Sequence, residues 1–388
     1  MLLKVKVNKL SIIIVTFIAL VASYLAFNIL PNNNAIDYYS LNNTSNIPHK
    51  SNLKLIPSYK SLAKLSSSRE KAVNKGTLLD HMEKKVSGVL IFNTDTCEVK
   101  VKMKGSLKSH WENIERWSLR LSTINNCKSL DNLTKFSLQD QSQREYYNEV
   151  YFHNIMEFFN ILHPLYNHLD VQLNNRLILN YALEEFFDYP LLNRMNRGNG
   201  IILAYNNDTF LEKHVNDKNE NTFKLAFNKA PIKGYKLSST YSNWSNDSTT
   251  VVKLLELFQN KEVSTSEIFN VDKLSTLLAV NTIFDDYHSS CPINIRFFYD
   301  PIIQKFEPIG YDMETIISIS GKNINNFLLP NGVGANYNSY YDHIFSDLEF
   351  SSLYRQKVQT IVSTDELRIF IQNLSSHFEK DIKTEIFT

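Results

Sequence analysis

Between Glu98 and Lys104 apolar and polar side chains alternate strictly. Val99, Val101 and Met103 point one way and Lys100, Lys102 and Lys104 the other, the period-two pattern of a half-buried strand. After Gly105 to Trp111 a second alternating segment places Trp117, Leu119 and Leu121 inward and Ser118 and Arg120 outward. The period then changes. Tyr147, Tyr151, Ile155, Phe158 and Leu162 form a stripe, widened by Phe152 and Met156, that predicts a helix over 144–162. Shorter helices are predicted around Ser68 to Lys84 and Tyr189 to Asn196. Leu169, Val171 and Leu173, then Asn174-Asn175, then Leu177, Leu179 and Tyr181 read as a hairpin, because Asn tolerates the positive φ of a tight turn. Polar stretches at 206–222 and 238–250 predict surface loops, and 340–387 predicts helices.

The most informative stretch runs from Asn281 to Thr315. Asn270 is an N-cap for a helix carrying Leu274, Leu277, Leu278 and Asn281. A polar loop with Asp285, Asp286, His288 and Asn294 follows. Ile295, Phe297 and Tyr299 alternate as a strand, Asp300-Pro301 turns the chain, and Phe306 to Tyr311 runs back to Asp312. Asn294 and Asp312 thereby become two hard oxygen ligands at one end of a hairpin. That arrangement suits Mg²⁺, which takes carboxylate and amide oxygens and leaves its other positions to water and phosphate.

Residues Leu10 to Leu30 are apolar almost throughout, preceded by Lys4, Lys6 and Lys9 and closed by Pro31. At ~1.5 Å per residue they span about 31 Å, enough for a bilayer core. The flanking lysines predict a single-pass signal anchor with residues 1–9 cytoplasmic and the remainder outside the membrane, or secreted if the segment is cleaved. Residues 31–52, rich in Asn and Ser, predict a solvated tether, and a globular domain is expected over 53–388.

With 388 residues, 43% of them hydrophobic, the chain has enough apolar content for a large core. A net charge of +1 with scattered basic residues argues against a nucleic-acid partner. Ten glycines and no G-x-G-x-x-G or G-K-[ST] motif exclude a glycine-rich phosphate loop. Cys97, Cys127 and Cys291 have no metal-site spacing, and a single Cys97–Cys127 bridge is compatible with an oxidising compartment. On the helix over 144–162, Glu149 shares a row with Phe152 and Met156. A carboxylate at the edge of a buried face wants a cation, which Arg120 or Lys104 can supply, although a merely peripheral Glu149 fits the pattern equally well.

Six blocks in this order resemble the CotH kinase family, the spore-coat-protein-H-like proteins: VKMKGSLKSHW (101–111), RWSLRLS (116–122), KFSLQDQSQREYYNEVYFHNIM (135–156), LNNRLILNYALEEFFD (173–188), YHSSCPINIRFFYDP (287–301) and FEPIGYD (306–312). The resemblance implies an α+β, two-lobed protein-kinase-like fold after the N-terminal transmembrane helix, with an N-lobe over about 86–205 and a C-lobe over about 223–388. It implies that ATP and Mg²⁺ or Mn²⁺ are bound and that a phosphoryl group passes to a hydroxyl on a protein or cell-surface polymer. Asp312 and Asn294 would then be the metal ligands and Asp286, or Asp285 beside it, the base. Glu149 would hold Arg120, preferred over Lys104 for its bidentate geometry, against the phosphates. Lys104 and His110 are further candidates for phosphate contacts, and His288 resembles a structural loop histidine. The alternative reading is a catalytically inactive envelope protein that binds a partner or polysaccharide.

Overall fold

In the computed structural model the residues described are 52–124, 127, 130, 132–144, 146–206, 230–235, 244–284, 288–313 and 338–386. Strand β1 (Asn52–Pro57) leads into helix α1 (Tyr59–Lys75). Ser58 caps the helix by accepting from Ser61 N–H, and Gly76 ends it in the left-handed conformation at φ 83. These caps, and not the apolar spacing used to predict a helix over 68–84, set its ends. Strands β2 (Val86–Phe92), β3 (Asp95–Met103), β4 (Leu119–Thr123) and β5 (Lys135–Asp140) follow as an antiparallel run. Helix α2 (Asn148–Phe158) is shorter than the predicted 144–162. Tyr146 at φ 59 and Asn160 at φ 52 bracket it with left-handed backbone that no helix can include. Strands β6 (Tyr166–Leu173) and β7 (Arg176–Glu185) form the hairpin expected around Asn174, which adopts φ 52.

β1 then decides the architecture. It pairs antiparallel with β2 and parallel with β6, so seven strands close into a barrel in the order β1-β2-β3-β4-β5-β7-β6. Val99, Val101, Met103, Leu121, Phe136 and Leu183 fill its interior. Cys97 and Cys127 form a disulfide with Cα atoms 5.9 Å apart, enclosing a loop whose cross-linking is worth about 3–4 kcal/mol on a chain-entropy model.

After helix α3 (Tyr189–Arg194), capped by Asp188, a second sheet is built from β8 (Ile201–Tyr205), β9 (Ile232–Tyr235), β10 (Arg296–Asp300) and β11 (Lys305–Ile309), in the order β11-β10-β8-β9. Helices α4 (Trp244–Gln259), α5 (Thr265–Ile268), α6 (Val271–Phe284), α7 (Asn338–Ser346), α8 (Leu348–Ser363) and α9 (Glu366–Ile386) accompany it. Asn270 caps α6 by accepting from Lys273 N–H. The predicted loop over 238–250 gives way to α4 from Trp244 onward, while the remainder of both predicted loops falls mostly outside the described residues.

The two-lobed kinase-like fold with a leading transmembrane helix is therefore corrected. The strands close on themselves through β1, and the four-stranded sheet is separate from that barrel. Alternation in β3 and β4 reports which side chains point inward, but it does not report whether a sheet closes, because closure depends on which distant strand takes the last edge. Among the described residues no helix is long and apolar enough to cross a membrane, and the segment 10–30 lies outside those residues.

Helix α2 joins the two bodies. Val150 packs with Tyr166 and Ala182 on the outer face of β6–β7, whereas Phe152, Ile155 and Met156 enter the core that contains Leu203, Phe297 and Phe306 of the second sheet. Two burial partners explain why the apolar side of this helix is so wide. Gly310 allows the end of β11 to approach α2: a Cβ there would lie 2.6 Å from Met156 Sδ.

Candidate functional site

Strand register assembles the first half of the site. Lys102 faces Arg120, Arg120 faces Ser137, and Ser137 faces Glu184, so β3, β4, β5 and β7 contribute one transverse polar row to the outer face of the barrel. Lys104 lies one step along, where its N–H donates to Ser118 O just beyond the β3–β4 ladder. Its ammonium reaches Glu184 Oε1 at 2.5 Å and Gln139 Oε1 at 2.8 Å, and Gln139 Nε2 donates to Glu184 Oε2 at 3.1 Å. Arg144, directly after β5, stands 3.9 Å from the same carboxylate. Arg120 lies over the Phe186 ring at 4.5 Å. Three cations thus surround one buried acid.

The electrostatics follow from burial plus this company. Desolvation would raise the Glu184 carboxyl, but Lys104, Arg144 and Arg120 outweigh it and hold the group down at about 2. Desolvation lowers the Lys104 ammonium to about 8, with Glu184 opposing and Arg120 and Arg144 assisting. The two shifts describe one pair differently: Glu184 gains from its cations, whereas Lys104 is crowded by two more. Lys104 is charged at neutral pH and gives up its proton readily above it. His110 is driven well below its ordinary value, first by burial and then by Lys104. It stays neutral, hydrogen-bonded to Ser118 Oγ at 2.9 Å, and its ring fills the space over Gly105, whose φ of +89 admits the turn.

The second half comes from the β10–β11 hairpin. Its register, Arg296 opposite Ile309 through Asp300 opposite Lys305, brings the strand ends together, and the chain then leaves through Tyr311 to Asp312. Asp312 has φ 66, a left-handed backbone that a non-glycine residue keeps only when its surroundings impose it. They do so from both sides. Asp312 N–H donates to Glu149 Oε1 and Met313 N–H to Glu149 Oε2, each at 2.8 Å, while His288 Nδ1 lies 3.0 Å from Asp312 O. Glu149 also faces His153 Nε2 at 3.0 Å. Burial pushes the Glu149 carboxyl up to about 8, with Arg144 pulling the other way. His288 Nε2 in turn lies 2.8 Å from Asn294 Nδ2, so opposite nitrogens of one ring connect Asn294 and Asp312. Arg296 steadies the loop by donating to the carbonyls of Ile293 and Asn294 and to Tyr235 Oη.

Arg144 closes the site. Its Nη1 is 2.7 Å from Asp312 Oδ1, yet among the described residues that oxygen accepts no aligned hydrogen bond, and Arg144 Nε and Arg120 Nε are likewise buried without an acceptor. Buried polar atoms whose hydrogen-bonding capacity is unfilled are costly unless a ligand completes them. Asn294 and Asp312 alone do not make a metal cage, and among the described residues no group of three His, Cys, Asp or Glu side chains is placed to hold an ion. An amide and a carboxylate oxygen are of the ligand type that Mg²⁺ takes, and such an ion would have to fill its octahedron from water and substrate.

Of the residues expected from sequence, Lys104 and Arg120 lie together on the barrel face, and Asn294 and Asp312 share His288. Glu149 does not hold Arg120 or Lys104 as expected. Fully buried beneath the hairpin exit, it binds the Asp312–Met313 backbone, and Glu184 takes Lys104 instead. Asp285 and Asp286 lie outside the described residues. Arg144, Glu184 and Gln139 escaped the sequence reading. Gln139 and Glu184 lie on β5 and β7 and Arg144 on the turn after β5, and their local pattern resembles an ordinary solvated face until register brings them together. No protein-family model and no curated protein matches this chain.

Proposed function

We propose that this chain is an ATP-dependent phosphotransferase that passes the γ-phosphate to a hydroxyl on a protein or cell-surface component, as the CotH resemblance implies. The observation that carries this reading is unfilled hydrogen-bonding capacity on buried groups of opposite sign: among the described residues Arg120 Nε and Arg144 Nε have no acceptor, and Asp312 Oδ1, the ion-pair partner of Arg144, accepts no aligned hydrogen bond. An anion alone satisfies only the guanidinium groups and a cation alone only the carboxylate. A metal-bound polyphosphate satisfies both. Lys104, Arg120 and Arg144 would bind and orient phosphate oxygens, and the bound Mg²⁺ or Mn²⁺, held by Asn294 and Asp312, would neutralise developing charge. Asp286 remains the proposed base. The Cys97–Cys127 disulfide supports a location outside the cytoplasm.

One observation favours a second reading. Lys104 and Arg144 already have carboxylate partners in Glu184 and Asp312, which suits a non-catalytic envelope protein whose charge network is structural.

Incubation with γ-labelled ATP, Mg²⁺ or Mn²⁺ and hydroxyl-bearing acceptors tests the choice. The phosphotransferase labels an acceptor or itself, and Asp312→Asn abolishes the label. Absence of transfer, together with no thermal stabilisation by Mg-ATP, overturns the proposal. A true binder gains about 2.7 kcal/mol at a ligand concentration a hundredfold above Kd. Stabilisation without transfer leaves the second reading.

A further inference from the structure

We infer that His288 is a positioning residue that turns the carbonyl oxygen of Asn294, rather than its NH₂ end, toward a bound divalent cation. The inference rests on the metal-phosphate reading above.

An asparagine amide has two ends of similar size, and only one is a ligand for a hard cation. In this loop the end is decided by two backbone carbonyls, which accept hydrogen bonds and never donate them. Asn294 Nδ2 is 3.2 Å from His288 O, so the NH₂ end must face His288. His288 Nδ1 is 3.0 Å from Asp312 O, so Nδ1 carries the imidazole proton. A neutral ring protonated at Nδ1 has its lone pair on Nε2. That lone pair is what the second Asn294 N–H requires, 2.8 Å away. The chain is self-consistent from end to end: Asp312 O accepts from His288 Nδ1–H, and His288 Nε2 accepts from Asn294 Nδ2–H. Among the described residues Asn294 Oδ1 has no hydrogen-bond partner. Rotating the amide by half a turn would set Oδ1 against two acceptors and lose both donors.

The imidazole therefore ties both proposed metal ligands to one rigid plane. It fixes the backbone of Asp312 and the side-chain polarity of Asn294 in the same act, as outer-shell histidine partners do at metal sites. Packing alone does not account for this residue, because a quarter of its side-chain surface is exposed. Removing such an outer-shell partner typically weakens metal binding about 10–100-fold.

Mn²⁺ titration of the whole chain by electron paramagnetic resonance, with a non-hydrolysable ATP analogue present, tests the assignment. His288→Phe is expected to weaken Mn²⁺ roughly 10–100-fold while metal-free binding of the analogue stays unchanged. His288→Gln, whose Oε1 can accept from Asn294, is expected to recover most of the affinity. If wild type binds Mn²⁺, Asp312→Asn abolishes binding and His288→Phe binds like wild type, the positioning role is overturned and the metal reading stands. If wild type binds no Mn²⁺, both fall. Should His288→Phe fail to fold, the ¹⁵N spectrum of the wild-type histidines at pH 8 decides. An unprotonated Nε2 with a protonated Nδ1 at His288 supports the inference, and the opposite tautomer overturns it.

Discussion

Glu184 and Glu149 are both fully enclosed carboxylates in one connected network, and they behave in opposite ways. Glu184 meets the side-chain cations Lys104, Arg144 and Arg120 and is held down at about 2. Glu149 meets the backbone N–H groups of Asp312 and Met313 and is pushed up to about 8. Burial is equal, so it cannot be the cause of the difference. At Glu184 three cations outweigh desolvation, whereas at Glu149 Arg144 and the backbone amides oppose it only in part and the Asp312 and Glu184 charges add to it. The comparison assigns them different work. Glu184 gathers the cations that the proposed phosphate ligand would share, and Glu149 clamps the strained turn that carries Asp312.

The largest expected effect separates the clamp from the hub. Glu149→Ala leaves two buried N–H groups and His153 without an acceptor and should destabilise the fold by about 3–5 kcal/mol. Urea unfolding measures it, and added phosphate or pyrophosphate should recover none of the loss. Glu184→Gln strands Lys104 and Arg144, but Lys104 can release its proton, so the cost should be smaller, about 2–3 kcal/mol. Here added pyrophosphate should restore part of the stability by supplying the missing negative charge. Equal response of the two variants to pyrophosphate would erase the distinction.

The pH dependence of stability sharpens it further, because the signs are opposite. The Glu184 carboxyl is depressed from 4.5 to about 2, so its contribution is present above pH 4.5 and is lost as pH falls toward 2. The Glu149 carboxyl is raised from 4.5 to about 8, so the folded state holds its proton more tightly and stability declines as pH rises across that interval. The changes should amount to about 3 kcal/mol for Glu184 and about 5 kcal/mol for Glu149 and vanish separately in Glu184→Gln and Glu149→Gln. Denaturation midpoints from pH 2 to 8 provide the measurement.

The smaller effects concern the ligand. Anion affinity should fall as pH passes about 8, where Lys104 loses its charge. Calorimetry in two buffers of different ionisation enthalpy should then show proton uptake on binding. Arg120→Lys removes the planar stack on Phe186 and should cost about 1 kcal/mol, near fivefold, in pyrophosphate affinity while leaving stability unchanged.

Local pattern sufficed for the strands. Val99, Val101 and Met103 are buried as alternation requires, the Asn174 hairpin forms, and Asp300-Pro301 turns the chain between β10 and β11. Each of these depends on neighbours within a few residues, where periodicity and turn chemistry act directly. Lys104, Arg120, Asn294 and Asp312 were legible as candidates for the same reason: their residue types and local placement suit anion and cation chemistry. Their partners were not legible. Glu184 reaches Lys104 across 80 residues, and Arg144 reaches Asp312 across a sequence interval twice as long, through strand register and the docking of α2.

The same division runs through the whole molecule. The sequence by itself determined which residues face inward, where turns fall and which side chains carry useful charge, because those are properties of short stretches. Only the tertiary structure decided that the sheet closes through β1, that Glu149 serves a backbone turn rather than a cation, and that His288 stands between Asn294 and Asp312. Those outcomes depend on which distant edges and faces meet, and short-range pattern contains no information about that choice.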